Sequence, residues 1–184
     1  MRVARAMVAE LSHLQTPVLC TTLDGMPVIL FAGTQNRRDV VYDVRLCPLD
    51  EVGCVHRGMY ERTEELWNTR QVREHLRRYE CTHLAGWSLG GACAVLTAAR
   101  LSPRAVASVT TFGAPRCGDA DFAAWYDAEL GRRTLRYETT RDPIASLPRG
   151  PYVHVGRRVP LRCRTPGWMS HHDLARYADA LRTW

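Results

Sequence analysis

The sequence predicts an α/β fold with a mixed, mostly parallel sheet and helices on both faces. Two short apolar segments, 17–23 and 26–32, are joined by Asp24-Gly25, a pair typical of an antiparallel hairpin turn. From about residue 59 onward, helical and strand patterns alternate along the chain. Such alternation favours parallel strands covered by helices.

The spacing of apolar residues predicts the helices and strands in the first half of the chain. Apolar residues at helical intervals over 1–15 predict an amphipathic helix that packs on the domain. The segment 39–46 fits a helix or a strand equally well. Apolar residues spaced among many charges over 59–79 predict one long exposed helix.

The later elements are assigned in the same way. A Val- and Thr-rich segment over 105–112 predicts a buried strand, and Asp119 is a suitable cap for a helix over 119–130 that stops at Gly131. The remaining predictions are strands over 133–139 and within 152–164 and a closing helix over 171–184. We expect a single domain over residues 1–184, since 46% of this chain is hydrophobic.

Charge and cysteine content narrow the function classes. The net charge is +6, and all 25 basic residues are arginine. The arginines form scattered pairs without interleaved aromatic residues, which argues against nucleic-acid binding and leaves weak attraction to an anionic lipid surface. The seven cysteines contain no C-x-x-C pair, so they predict neither a zinc site nor a disulfide framework. Cys81 and Cys93 are expected to be buried.

No secretory or membrane-spanning pattern is recognised. The apolar run near the N-terminus is too interrupted for a signal peptide, and no stretch approaches the ~18 apolar residues of a membrane span. We therefore expect a cytoplasmic protein in a reducing compartment. The sequence does not indicate an oligomeric state.

The hexapeptide at 86–91, Gly-Trp-Ser-Leu-Gly-Gly, has the G-x-S-x-G pattern of a nucleophile elbow. An apolar stretch precedes it and an Ala-rich helical pattern follows it, as strand–turn–helix geometry requires. The turn strains the backbone at Ser88, so Gly86 and Gly90 are expected to provide space by lacking a Cβ. Ser88 is therefore the predicted nucleophile.

A serine nucleophile needs a base, and the base needs an acid to orient it. On such a sheet the chain order is serine, acid, histidine. Asp142 follows a predicted strand and precedes Pro143, which presents its carboxylate from a loop. His154 alternates with valines in a strand pattern and is interpreted as structural. His171 and His172 both remain candidates for the base, because local chemistry does not separate them.

An oxyanion hole completes this chemistry. One donor is expected from the backbone N–H of Leu89, directly after the nucleophile. The other is expected from the loop after an early strand, where the apolar segment breaks at Gly33 and Thr34 offers an N–H and a hydroxyl.

Together these motifs resemble the class 3 lipases. The most specific block is Thr-Phe-Gly-Ala-Pro-Arg at 111–116, which stands beside the elbow. The resemblance spans about residues 27–182. The other matching segments, in the same order as in the family, are Gly33-Thr34, Asp39 to Asp43, Val55 to Met59, Asp142-Pro143-Ile144, Leu147-Pro148, Val153 to Gly156 and His172-Asp173-Leu174 with Tyr177.

The resemblance implies an α/β-hydrolase that cleaves acyl esters of lipids with no metal or organic cofactor. It implies Ser88 as nucleophile, Asp142 as acid and His172 as base, since the family's histidine stands five residues before the helix tyrosine. It also places Thr34 and Leu89 in the oxyanion hole. A thioesterase or other acyl hydrolase on the same fold, or a non-catalytic relative that binds lipid or protein, remains the alternative.

The chain departs from the family pattern at three places. Trp87 stands where the family usually has histidine, and Ala32 where it usually has arginine. The segment between Gly33 and Gly58, where a lid helix would lie, is short. We therefore expect a small lid or none, and a change in substrate preference rather than a loss of catalysis.

Overall fold

The computed structural model describes residues 2–33, 45–49, 51–162 and 169–183. Strands and helices alternate along most of this chain. In chain order the main elements are α1 (Arg2–His13), β1 (Val18–Leu23), β2 (Met26–Phe31), β3 (Leu46–Pro48), β4 (Cys54–His56), α2 (Arg57–Trp67), α3 (Arg70–Arg78), β5 (Thr82–Trp87), α4 (Leu89–Arg100), β6 (Val106–Phe112), α5 (Ala120–Glu129), β7 (Thr134–Thr139), β8 (Arg157–Leu161) and α6 (Leu174–Arg182).

A six-stranded sheet in the order β1-β2-β5-β6-β7-β8 forms the centre of the molecule. β1 and β2 pair antiparallel through a tight turn at Asp24 and Gly25, both with positive φ. All later neighbours in this sheet pair parallel. β3 and β4 form a separate antiparallel pair. The predicted mixed α/β architecture is confirmed.

Helices cover both faces of the sheet. In β2, Ile29 and Phe31 join the core beneath α2, α3, α4 and α5, whereas Val28 and Leu30 face α1 and α6. This alternation follows from the two-residue period of a strand. The predicted N-terminal helix packs on α6, where the Arg5 guanidinium donates to the Leu181 carbonyl at 2.8 Å.

The single long helix predicted over 59–79 is wrong, because the segment forms two helices. α2 begins at Arg57, capped by the His56 ring, and the chain breaks at Asn68 and Thr69. The side chains of both residues donate to carbonyls in the last turn of α2. Asn and Thr side chains compete in this way with helical backbone bonds, which a count of apolar residues does not detect.

Other differences are smaller. Cys93 is buried as expected, but Cys81 is exposed because it lies in the turn before β5. α5 ends at Glu129, and Gly131 starts a short 3₁₀ turn. A 3₁₀ turn, Met169–His172, precedes the closing helix. Residues 39–44 of the ambiguous segment lie outside the described chain.

None of the helices in the described ranges is sufficiently long and apolar to cross a membrane.

Candidate active site

Ser88 occupies a sharp turn between β5 and α4. Its φ of 57° and ψ of −129° are rare for a residue with a side chain, so neighbouring atoms must hold it there. Its N–H donates to the Phe112 carbonyl at 2.9 Å. A Cβ at Gly86 would collide with the Gly90 carbonyl, and a Cβ at Gly90 with that of Phe31. The two glycines therefore permit the close approach of β2, β5 and α4.

Ser88, His172 and Asp142 form a continuous hydrogen-bonded series. The Ser88 Oγ lies 2.8 Å from His172 Nε2, and His172 Nδ1 lies 2.9 and 2.8 Å from the two Asp142 oxygens. Both partner side chains are fully buried. With Asp142 ionised, Nδ1 carries the proton that it donates to the carboxylate, which leaves Nε2 as an acceptor for the Ser88 hydroxyl.

Asp142 is held by further donors. The Ile144 N–H donates to its Oδ1 at 2.8 Å, and the Tyr177 hydroxyl donates to its Oδ2. Burial, and then the adjacent Asp142 carboxylate, raise the pKa of Tyr177 well above its usual value of 10, so the phenol remains a donor. Gly113, with φ of +57°, lies where a Cβ would press on the Asp142 carboxylate.

The loop that carries His172 is fixed to the end of β7. The Thr139 Oγ1 donates to the His171 carbonyl at 2.7 Å. The His171 ring is buried, and neither of its nitrogens has a hydrogen-bond partner among the described residues. The geometry therefore brings His172, not its neighbour His171, to the Ser88 hydroxyl.

The other predicted site residues have different outcomes. The His154 ring is partly buried and bonded to the Ala145 carbonyl at 2.6 Å, away from Ser88, in keeping with a structural role. Leu89 is the first residue of α4, where a helix leaves its N–H without an intrahelical partner. Thr34 lies outside the described residues.

Two contacts at the site were not predicted from the sequence. Tyr177 was recognised only as a marker of register, although it bonds Asp142. Trp87, noted only as an unusual residue, stacks on His172 with ring centroids 5.3 Å apart. Trp87 directly precedes Ser88 and Tyr177 follows His172 by five residues, but which partner each side chain contacts depends on how distant segments pack.

A cleft of about 250 Å³ opens beside the elbow. Its wall includes Leu89 next to Ser88 and Gly33 just after β2, with Leu66, Cys93 and Arg62 farther along. Within the described part of the chain, His, Cys, Asp and Glu side chains nowhere group in threes that could hold a metal ion.

Comparison with known proteins finds similarity to lipases in sequence and in fold. The model of the family described as lipase (class 3) matches residues 28–151. A phospholipase A1 EG1 of Oryza sativa subsp. indica, described as chloroplastic/mitochondrial, is 40% identical over 121 residues. That match covers 54% of this chain and 28% of the rice protein.

Solved lipase structures share the fold. The lipase of Rhizopus microsporus var. chinensis superposes with a TM-score of 0.64 and 24% identity, covering 82% of this chain and 58% of that one. The triacylglyceride lipase of Rhizomucor miehei superposes with a TM-score of 0.63 and 24% identity, covering 78% of this chain and 61% of that one. This chain thus spans less than two thirds of the length of each of these relatives.

Proposed function

This chain belongs to the class 3 lipase family, and we propose that it hydrolyses carboxylic esters of lipids through Ser88, His172 and Asp142. The single observation that carries the proposal is the buried series of hydrogen bonds from the Ser88 hydroxyl through the His172 ring to the Asp142 carboxylate. Acyl transfer by a serine requires a hydroxyl that is hydrogen-bonded to a base, and a base that is oriented by an acid.

In the first half of the reaction, the Ser88 Oγ attacks the ester carbonyl while His172 Nε2 removes its proton. The resulting imidazolium faces the Asp142 carboxylate, which is fixed by the Ile144 N–H and the Tyr177 hydroxyl. His172 then gives the proton to the leaving alkoxide, and an acyl-Ser88 ester remains. In the second half, water loses a proton to His172 and attacks this ester. The acyl–Oγ bond breaks, His172 returns the proton to the Ser88 Oγ, and the carboxylic acid is released.

Negative charge develops on the carbonyl oxygen in both halves. We assign one donor to the Leu89 N–H, because Leu89 is the first residue of α4 and the helix dipole adds to the attraction there. We assign the second donor to Thr34, which follows β2 in the sequence. Each such donor contributes about 3–4 kcal/mol to the transition state.

The substrate is proposed to be the acyl ester of a triacylglycerol or phospholipid. The cleft beside Leu89 has a mixed lining, in which Leu66 and Leu89 can contact an acyl chain and Arg62 and Gln15 can contact the polar part of the ester. The rice relative is named a phospholipase A1 and the Rhizomucor miehei neighbour a triacylglyceride lipase. We retain weak attraction of the arginine-rich surface to anionic lipid as part of the proposal.

Hydrolysis of p-nitrophenyl esters by the Ser88→Ala variant tests the proposal. We expect at least about a thousandfold loss of kcat, because the nucleophile is removed while binding remains. Ser108→Ala is a matched control, since the Ser108 hydroxyl also bonds a histidine ring, His83, at 2.7 Å but lies at the start of β6. This control should keep full activity. Equal activity in both variants contradicts the proposal.

Two further measurements separate the alternatives. Matched oxygen esters and thioesters of one acyl chain should be compared, and a faster thioester reaction would indicate a thioesterase on the same fold. A fluorophosphonate probe should label the wild-type protein but not the Ser88→Ala variant. Absence of labelling in the native protein would indicate a non-catalytic binding relative.

A further inference from the structure

We propose that Trp87 is a positioning residue that holds the His172 ring against Ser88. The inference rests on the proposed function, because it concerns the base of that reaction. Trp87 is the last residue of β5 and is only half-buried, so its ring reaches the site from the strand that carries the nucleophile. Two separate contacts join it to the segment that carries His172.

The first contact is between the rings. The indole of Trp87 and the imidazole of His172 lie with centroids 5.3 Å apart and planes 27° from parallel. An aromatic face attracts a cation more strongly than a neutral ring. In the proposed reaction His172 becomes a cation when it takes the proton of Ser88 or of water, so the stack is stronger in those transition states than in the resting enzyme. Interactions of this kind raise kcat rather than lower KM.

The second contact fixes the backbone of the base. The Trp87 indole N–H donates to the His172 carbonyl at 3.1 Å. The adjacent His171 carbonyl already accepts from the Thr139 hydroxyl at 2.7 Å. Two successive carbonyls of this turn are thus bonded to side chains on two parallel strands, β5 and β7. The turn is thereby held at a constant distance from the elbow.

The opposite edge of the indole lies against the end of β2. A Cβ at Gly33 would lie 2.6 Å from the Trp87 Cε3 and 3.0 Å from the Ser88 Cβ. Trp87 is therefore enclosed between Gly33 and His172. A smaller side chain at this position leaves His172 room to move away from Ser88.

Two variants separate the contacts. Trp87→Phe keeps an aromatic face but loses the N–H donor, and Trp87→Leu loses both. Trp125→Leu is the matched control, since Trp125 is a partly buried indole on α5 that packs on Phe122. The kinetic readouts are kcat and KM on p-nitrophenyl acetate, butyrate and octanoate. The rate at which diethyl p-nitrophenyl phosphate labels Ser88 reports activation of the serine without acyl binding.

We expect kcat to fall about tenfold in Trp87→Leu and about threefold in Trp87→Phe, with KM unchanged. The loss should be equal for the three esters, and labelling should slow by the same factors. Trp125→Leu should change none of these values. A loss that appears in KM and grows with chain length, or no loss in the Phe variant, overturns the inference. If Trp87→Leu does not fold, the Phe variant alone decides.

A spectroscopic readout keeps the test independent of the substrate. The indole N–H proton resonance of Trp87, assigned by its absence in Trp87→Phe, should be protected from exchange and should shift in His172→Gln. An unprotected or unmoved resonance contradicts the inference even in a protein that hydrolyses no ester tested. If only the proposed function is wrong, this resonance will still be protected and will still shift in His172→Gln, but the Ser88→Ala variant will lose no activity.

Discussion

At the scale of single residues, the proposed acid, Asp142, depends on more than its own carboxylate. Asp142 accepts hydrogen bonds from His172, the Ile144 N–H and the Tyr177 hydroxyl, and its side chain is fully buried. A buried carboxylate is stable only when such donors surround it. The orientation of the His172 ring thus depends on the phenol as well as on Asp142.

Removal of that phenol should affect turnover. We expect Tyr177→Phe to lower kcat about tenfold and leave KM unchanged, because a charge-assisted bond to Asp142 is lost while the substrate contacts remain. Tyr126→Phe is the control, since its buried hydroxyl bonds Thr134 at 3.1 Å outside the site. Steady-state kinetics on one ester measure both. Equal kcat for the two variants would show that the phenol does not support the acid.

A residue of the candidate site could be predicted when a short stretch of sequence around it carries the pattern. Ser88 and its glycines follow from a single hexapeptide, and Asp142 from its place after a strand. The choice between His171 and His172 needed either the resemblance or the coordinates, because adjacent residues differ only in which way the turn points them. The contact of Trp87 with His172 spans 85 positions, and no local pattern predicts it.

At the scale of elements, capping side chains decide where helices start and stop. Asp119 was predicted as the cap of α5, and its Oδ1 does accept from the Phe122 N–H at 2.9 Å. Its Oδ2 also accepts from the Cys54 N–H at 3.0 Å, which ties the helix to β4. By contrast, the break between α2 and α3 depends on Asn68 and Thr69, whose side chains act on the backbone rather than on the core.

Because Asp119 both caps α5 and accepts a hydrogen bond from β4, its substitution tests how α5 is attached to the rest of the fold. We expect Asp119→Ala to lower the free energy of unfolding by about 2 kcal/mol, since a cap and a second hydrogen bond are both lost. Asp119→Asn keeps one side-chain oxygen as an acceptor, so its free energy of unfolding should fall by about half as much. Asp121→Ala, in the exposed first turn of the same helix, should change it by less than about 0.5 kcal/mol. Urea unfolding measures all three, and a loss in Asp119→Ala no larger than in Asp121→Ala would show that the cap contributes little.

At the scale of the whole molecule, the sheet brings distant segments to one edge. The elbow, the Asp142 loop and the turn of His172 follow β5, β7 and β8, and ligand sites of such sheets gather at the carboxyl ends of parallel strands. The alternation of helices and strands was sufficient to predict this architecture. The exact strand bounds were not, because they depend on pairing with neighbours.

A charged cluster, buried except for the half-exposed Arg158, connects β7 and β8. Glu138 accepts from Arg136 and from the Arg158 Nε at 2.7 Å, and the His154 Nε2 lies 3.6 Å from the same carboxylate. Burial, and then the charge of Arg136, lower the pKa of His154 from 6.5 to about 4. The Glu138 carboxylate is already paired with two arginines, so it offsets this effect only in part. His154 is therefore neutral in the folded protein.

The fold should consequently lose stability on acidification. Between pH 6.5 and about 4, His154 binds a proton in the unfolded chain but not in the folded protein, because its pKa is lower in the folded state. Its contribution to the free energy of unfolding is therefore complete above pH 6.5 and is lost as the pH falls toward 4. Between pH 7 and pH 5 this amounts to about 2 kcal/mol. In His154→Gln, the amide can still donate to the Ala145 carbonyl but does not titrate. Urea unfolding at both pH values should therefore show a decrease smaller by about 2 kcal/mol in the variant than in the wild type. Equal decreases would mean that His154 does not resist protonation, and that the acid sensitivity of the fold arises at other groups.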